Sequence, residues 1–384
     1  AKNELDEKEF EIFDMAEKSV LKWIEENLGQ GRKLALDPKL TKIGFAKACR
    51  KIAKKNNAEV SFPEINPVDE IWENRPSKSN SAAFFCNKDL AGADSKKKRE
   101  IILRDLDADA VIISKPENIC WMLNIRAADI EFTPLLLVYA ILFKDGKVDL
   151  FIDETRIQDL KNPDLEDVNL VNPEDFNAHF SSLKIEKIQI DPASTNYWLW
   201  DLLQKNNLKI IEKTDAAELA KACKSDQEIK SAIKSHEVDG LAVTKFLFWM
   251  EKSAKNGEEM SEISAAKKLL ELRKEHPNFL YPSFSTISGF ASNGAIIHYC
   301  ANEKTNKKIV SSQGQGELYL VDSGGQYFPN SNGETEQFLG TTDVTRTIAI
   351  GSPSKEMIEN FTRVLKGHIA LARAKFPRGT SGAQ

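Results

Sequence analysis

Two aspartates towards the C-terminal end of the sequence have side chains that can bind metal ions. Asp322 is the last residue of the apolar run ELYLVD, and Asp343 is the first residue of DVTRTIAI. Alternation along a strand puts Leu318, Leu320 and Asp322 on one face. If the two runs pair as a hairpin, both carboxylates lie side by side. They then repel each other unless they share a proton or bind cations.

Oxygen ligands of this kind suit hard divalent cations such as Mn²⁺ or Mg²⁺. Two such cations, about 4 Å apart and bridged by carboxylates, generate hydroxide at neutral pH. His298, in the run AIIHY, is predicted to end a strand of its own and to join the same face of a sheet. The residues alone leave a structural alternative open. Aspartates at strand ends commonly cap turns, and a single histidine on a strand is commonly a packed core residue.

The stretch between the two aspartates contains NSNGETE, which has a weak similarity to a calcium-binding loop. Aligning Gly333 with the glycine that such loops require puts Phe328 at the first ligand position and Leu339 at the last. Neither side chain binds a cation, so the sequence argues against calcium.

The elements that must position these residues form the last part of the chain. A long helix is predicted over Asp226–Ala254, ended by Gly257, and Ser261 is predicted to cap the next helix. The predicted apolar stripe of the long helix consists of Ile229, Ile233, Leu241, Phe248 and Trp249. Three strands, in AIIHY, ELYLVD and VTRTIAI, and a last helix over Lys355–Phe376 complete this region.

The preceding part alternates between helical and strand patterns, which predicts α/β layers. Asp94 is predicted to cap a helix, AVIIS and KIQID to form strands, and Asp145-Gly146 to turn a hairpin. The basic run Lys96–Arg99 is interpreted as a solvated helix face. The predicted fold class is therefore α/β and α+β, with domains over residues 1–76, 77–218 and 219–384.

Composition limits the classes of function. The 384 residues are 41% hydrophobic and 29% charged with a net charge of −5, which describes a soluble globular protein and does not favour nucleic acid as a partner. The longest apolar stretch, Phe132–Phe143, is too short to span a membrane and is interpreted as a buried strand. The five cysteines lack CxxC spacing, and the acidic N-terminal stretch is not a signal peptide, so a cytoplasmic protein with reduced thiols is expected.

Several motifs in order resemble one family. DSGGQY followed by GTTDVTRT and preceded by NGAIIHY is similar to the site of the M24 metallopeptidases with the pita-bread fold. NPVDEIWENRP, WMLNIRAADIEFTP and VLKGHIALA resemble further segments of the three-domain Xaa-Pro aminopeptidases in that family. The resemblance implies creatinase-like α/β N-terminal domains followed by a pita-bread catalytic domain. It also implies a homodimer acting on proline-containing peptides.

The resemblance also implies roles for individual residues. Asp322 corresponds to an aspartate that binds one metal, Asp343 to one that bridges two Mn²⁺ ions, and His298 to a histidine beside the substrate. A hydroxide that bridges the metals attacks the carbonyl before a proline at position two, and the metals stabilise the oxyanion. Thr345 and Thr347 are predicted to orient Asp343.

Two departures from the family pattern accompany the resemblance. The stretch Phe328–Leu339 lengthens a connection that is short in the family, and it is predicted to be a dispensable surface insertion at a hairpin tip. The family's remaining ligands, a histidine and two glutamates, are expected downstream of the helix that ends at Phe376. Family members also have a further stretch of first domain before FEIFDMAEKS. The chain is therefore expected to be truncated at both ends, with an incomplete catalytic domain that is inactive alone. A non-catalytic pita-bread binding protein and a prolidase-type or creatinase-type hydrolase remain as alternatives.

Overall fold

The structure, a computed structural model, describes residues 5–6, 8–158, 161–310, 316–329 and 336–383. It divides into two compact units. The first comprises residues 1–130 and 134–225, and the second comprises residues 131–133 and 226–384. The predicted division at residues 76 and 77 stays a prediction. None of the helices in the described part of the chain combines the length and apolar character needed to cross a bilayer.

The first unit alternates helices and strands. Its helices are α1 (Val20–Asn27), α2 (Ile43–Lys55), α3 (Pro67–Ile71), α4 (Lys88–Ala91), α5 (Ser95–Leu103), α6 (Pro116–Met122), α7 (Phe176–Ser182), α8 (Tyr197–Lys205) and α9 (Ala216–Ala222). Its strands are β1 (Lys33–Ala35), β2 (Glu59–Ser61), β3 (Phe84–Phe85), β4 (Ala110–Ile113), β5 (Ile125–Arg126), β6 (Tyr139–Phe143), β7 (Val148–Phe151), β8 (Val168–Val171), β9 (Lys187–Ile190) and β10 (Lys209–Glu212). The helix cap at Asp94 and the strands of AVIIS and KIQID are therefore confirmed.

A six-stranded mixed sheet in the order β10-β9-β4-β6-β7-β8 organises this unit. Its central strand β4 is buried throughout, with Ala110 and Ile112 in one apolar cluster and Val111 and Ile113 in the other. Burial on both faces explains the uninterrupted apolar run. The antiparallel β6 and β7 confirm the hairpin at Asp145-Gly146.

The basic run in α5 is a solvated face only in part, since Lys96 and Lys97 are exposed. Lys98 and Arg99 are buried. The ammonium of Lys98 donates to Asn124, and the guanidinium of Arg99 donates to the carbonyls of Gly146 and Glu166. Long cationic side chains are tolerated in the interior when fixed acceptors accept their hydrogen bonds.

The second unit contains α10 (Asp226–Asn256), α11 (Glu262–Lys274) and α12 (Lys355–Arg373). Its strands are β11 (Phe279–Pro282), β12 (Ile287–Phe290), β13 (Glu317–Ser323), β14 (Gly325–Tyr327), β15 (Gly340–Thr341) and β16 (Val344–Ile350). They form two antiparallel sheets, β12-β13-β16 and β11-β14-β15. The first sheet packs its Tyr319 and Val321 against apolar residues of α10 and α11.

The buried face of α10 differs from the predicted stripe. Four of the five predicted residues are 46% to 68% exposed, namely Ile229, Ile233, Leu241 and Phe248. The buried face instead includes Ser231, Ser235 and Asp239 beside Phe246 and Met250. Periodicity misidentified the face because buried polar partners, described below, satisfy Asp239, and because the chain at Gly340 approaches Ser235 closely.

Candidate active site

Strands β13 and β16 bring the two aspartates together. They pair antiparallel, with Asp322 opposite Thr345 and Ser323 opposite Val344, and Asp343 directly precedes β16. Tyr319, Val321 and Ser323 face the core, so Asp322 lies on the other, half-buried face of the strand. The predicted alternation along β13 and the predicted pairing are confirmed.

The two carboxyl groups interact directly. Partial burial, the negative charge of Asp322 and a hydrogen bond to Asp322 together raise the pKa of Asp343. The hydroxyl of Thr345 donates to Asp322 Oδ1 at 2.8 Å. The prediction that Thr345 orients Asp343 is therefore wrong. Thr345 pairs with Asp322 in the strand register, and its hydroxyl contacts Asp322 instead.

A single glycine, Gly324, connects β13 to β14 beside the ends of these strands. The amide of Gly325 donates to Thr342 Oγ1 at 2.8 Å, and Ser283 Oγ donates to the Thr342 carbonyl at 2.7 Å. A Cβ at Gly324 would lie 1.8 Å from that carbonyl oxygen and 2.3 Å from Ser283 Oγ. The backbone of the DSGG segment therefore approaches the residue that precedes Asp343 as closely as only glycine allows.

A buried ion pair beneath β13 was not found from the sequence. Arg273 Nε donates to Asp239 Oδ1 at 2.6 Å, and its Nη2 donates to Asp239 Oδ2 and to Ser323 Oγ, both at 3.1 Å. The hydroxyl of Tyr327 also donates to Asp239, at 2.7 Å. This network ties α10 and α11 to the residue that follows Asp322. Its sequence signal was weak, because Asp239 shares its helix face with serines as well as with apolar residues.

His298 does not end a strand, as the sequence had predicted. The run that contains it follows the 3₁₀ helix Ala291–Ala295, and His298 lies exposed in a turn with φ of 54°. No described hydrogen bond or ion pair joins His298 to either aspartate. The apolar run could not extend a sheet because Gly294 folds back onto Gly289, whose built Cβ would lie 2.9 Å from Gly294 Cα.

The flanks of the predicted insertion are packed. Phe338 is buried against His276, with ring centroids 5.7 Å apart, and the carbonyl of Glu336 accepts a hydrogen bond from Asn278. Residues 330–335 lie outside the described residues. The prediction of a dispensable insertion therefore does not hold for residues 336–339, because deleting them would remove core contacts.

Two adjacent carboxylates fit part of a cation site, since their mutual repulsion is relieved when a cation binds. Within the described ranges, no group of three or more histidine, cysteine, aspartate or glutamate side chains is arranged to hold a metal ion. The residues present therefore fit the metal as two ligands of a larger set.

Two parts of the chain match known protein families. Residues 74–228 match the Creatinase/Prolidase N-terminal domain, and residues 230–384 match metallopeptidase family M24. Residues 230–384 therefore form an M24 metallopeptidase domain. Both aspartates and His298 lie within the M24 match, and the predicted fold class, with creatinase-like domains before a pita-bread domain, is confirmed.

Curated members of the M24 family are similar over nearly the whole chain. Xaa-Pro aminopeptidase 1 of Dictyostelium discoideum is 32% identical over 96% of this chain and 58% of its own length. An Xaa-Pro aminopeptidase of Drosophila melanogaster is 32% identical over 95% of this chain and 58% of its own length. The chain thus spans less than two thirds of these relatives.

One solved M24 structure is similar throughout. X-prolyl aminopeptidase from Caenorhabditis elegans, described as a cytosolic enzyme with a di-nuclear active site, gives a TM-score of 0.83 at 29% identity. The match covers 95% of this chain and 59% of that one. The backbone around β13 and β16 therefore belongs to a fold that carries a dinuclear site in that enzyme.

Proposed function

We propose that the protein is a metal-dependent aminopeptidase that releases the N-terminal residue from peptides with proline at position two. The observation that carries the proposal is the contact between Asp322 and Asp343 at adjoining strand ends in an M24 domain. Relatives named Xaa-Pro aminopeptidase support the substrate class. Because the chain spans 58% of those relatives, the activity of the whole protein is inferred from them.

In this proposal Asp322 and Asp343 bind divalent cations, together with ligands contributed from elsewhere in the protein. When bound, the cations act as Lewis acids and make water a nucleophile at neutral pH. Thr345 keeps Asp322 in one orientation through its hydroxyl. His298, which is exposed, contacts the substrate near the scissile peptide and binds or transfers a proton there.

We further propose Mn²⁺ as the metal, a homodimer as the assembly and the cytoplasm as the location. Hard oxygen ligands support Mn²⁺, and the cytosolic description of the Caenorhabditis elegans enzyme supports the location. The homodimer rests on the family resemblance alone. Light scattering of the purified protein tests it, and a monomeric mass would reject it.

Hydrolysis of an Xaa-Pro-Xaa tripeptide by the full-length gene product tests the activity. Mn²⁺ should support release of the first residue, a chelator should abolish it, and added Mn²⁺ should restore it. Asp322→Asn and Asp343→Asn should each lose activity and bind Mn²⁺ more weakly in calorimetry. Asp145→Asn, which changes an exposed aspartate at another hairpin turn, serves as the matched control.

The alternatives predict other outcomes. Cleavage of Xaa-Pro dipeptides alone would indicate a prolidase, and hydrolysis of a non-peptide substrate such as creatine without metal would indicate a creatinase-type enzyme. A protein that binds no Mn²⁺ and cleaves no peptide would be a non-catalytic binding protein of the same fold.

A further inference from the structure

Glu262, the first residue of α11, is fully buried. Its Oε1 accepts hydrogen bonds from the Phe290 amide at 2.7 Å and from Asn293 Nδ2 at 3.0 Å. Its Oε2 accepts from the Tyr299 hydroxyl at 2.8 Å and from the Lys307 amide at 2.9 Å. All four partners are donors, and a carboxylate offers only acceptors.

These four donors come from one segment of the chain. Phe290 ends β12, Asn293 lies in the 3₁₀ helix, and Lys307 closes the segment, where its carbonyl also accepts from the Glu262 amide at 3.1 Å. Tyr299 lies directly after His298. The carboxylate of Glu262 therefore holds the segment on both sides of His298 and at the adjoining residue.

The segment lies on the face of the sheet that carries Asp322. Gly294 packs against Leu320, since a Cβ at Gly294 would lie 3.5 Å from Leu320 Cβ. Leu320 and Asp322 share one face of β13 by strand alternation. Gly294, four residues before His298, thus packs on the same face of the sheet as the proposed metal ligand, two residues from it along β13.

A core-packing role alone does not require a carboxylate here. No ion pair of the described residues neutralises Glu262, so its burial is tolerated only because four donors converge on it. Apolar residues would fill the same volume without that requirement. The left-handed backbone of His298, with φ of 54°, also needs surrounding structure to persist.

We propose that Glu262 is a positioning residue for His298. Its buried carboxylate fixes the 290–307 segment and thereby sets where the imidazole lies relative to Asp322. The catalytic consequence rests on the proposed function, in which His298 contacts the substrate, whereas the structural consequence does not.

Hydrogen exchange tests the structural consequence without any activity. Glu262→Gln keeps the size of the side chain but turns an amide donor towards the four donors. We expect amides of residues 291–307 to exchange about tenfold faster, the factor that follows from losing one hydrogen bond to a carboxylate, while peptides from β13 and β16 keep wild-type rates. Glu259→Gln, at an exposed glutamate paired with Lys308, should change neither. Unchanged exchange in 291–307 would overturn the proposal.

A double-mutant cycle tests the catalytic consequence in the full-length protein. Glu262→Gln should lower kcat/KM on an Xaa-Pro-Xaa tripeptide about 100-fold, the cost of a small misplacement. In a His298→Ala background the same substitution should change kcat/KM by less than about twofold. An equal loss in both backgrounds would show that Glu262 does not act through His298 and would overturn the proposal.

A second variant tests the same contact. Tyr299→Phe removes one donor and keeps the ring, so it carries the same tests should Glu262→Gln fail to fold. A wild-type protein without aminopeptidase activity would reject the proposed function, and the exchange measurement would still decide whether Glu262 fixes the segment.

Discussion

Thr345 and Thr347 lie on the same strand, yet only one of them contacts a proposed ligand. Thr345 Oγ1 donates to Asp322 at 2.8 Å, whereas no hydrogen bond of the described residues is made by the Thr347 side chain. A donor that orients a ligating carboxylate contributes about tenfold to 100-fold to metal affinity. A substitution of Thr345 therefore tests this contact, and the same substitution of Thr347 is its control.

Thr345→Val should weaken Mn²⁺ binding about tenfold or more, because Asp322 loses the hydroxyl that orients it. Thr347→Val should leave the affinity unchanged. Calorimetric titration of both variants with Mn²⁺ measures the difference. Equal affinities for the two variants would show that the contact does not matter for the metal.

We expect His276 to make the stability of the protein depend on pH. Burial lowers its pKa, Glu336 opposes that shift and Lys234 adds to it, and its Nδ1 accepts from the Asn278 amide. The unfolded chain therefore takes up this proton first as the pH falls below about 6.5. Stability from the neutral ring is complete above that value and is lost as the pH falls towards the lower folded pKa.

The melting temperature of the second unit should accordingly fall between pH 7.5 and 5.5, and His276→Gln should make that fall smaller. Thermal unfolding at several pH values measures it. A His276→Gln protein with the wild-type slope would assign the pH dependence to other groups.

At the scale of elements, Gly324, the single residue between β13 and β14, joins the two sheets of the second unit. Gly324 faces the Thr342 carbonyl and Ser283 at distances that exclude a Cβ, and Thr342 is fully buried. The position of Asp343 thus depends on a backbone contact made two residues beyond Asp322. Strand register and this close backbone approach together bring the aspartates into contact.

Gly324→Ala should destabilise the protein by about 3 kcal/mol, the cost of forcing an added methyl group into a packed site. Gly240→Ala, in α10 with nothing within 4 Å of the added Cβ, should be neutral or slightly stabilising. Denaturant unfolding of both variants compares them. A loss below about 1 kcal/mol for Gly324→Ala would mean that the backbone around Gly324 relaxes readily.

At the scale of the whole molecule, α12 has no buried residue. Its apolar stripe comprises side chains that are 45% to 54% exposed, namely Ile358, Phe361, Leu365 and Ile369. An exposed apolar patch of this kind promotes association in a soluble protein. The chain of residues 1–384 is therefore expected to bind hydrophobic dyes and to aggregate through this helix.

The double substitution Phe361→Glu and Leu365→Glu should raise the solubility of the 384-residue chain and reduce its dye fluorescence. Lys366→Glu, which changes the net charge equally but lies outside the stripe, is the control. Dye titration and sedimentation measure both effects. Equal gains from the control would attribute them to charge alone.

Local rules in the sequence determined several features of this protein. Asp94 caps its helix, Asp145-Gly146 turns a hairpin, and alternation along β13 sets the face of Asp322. These features depend on residues near one another in the chain. Their backbone preferences and the alternation of their side chains can be inferred from the sequence. The family resemblance rested on the same motifs and is confirmed.

Only the tertiary structure decided which polar groups are buried and what they contact. Asp239 is buried because Arg273 reaches it from another helix, and Glu262 because four donors of a distant segment converge on it. His298 lies in a turn because Gly294 folds back onto Gly289. Such contacts join residues far apart in the chain. Burial of a charge depends on those partners and not on its neighbours in sequence.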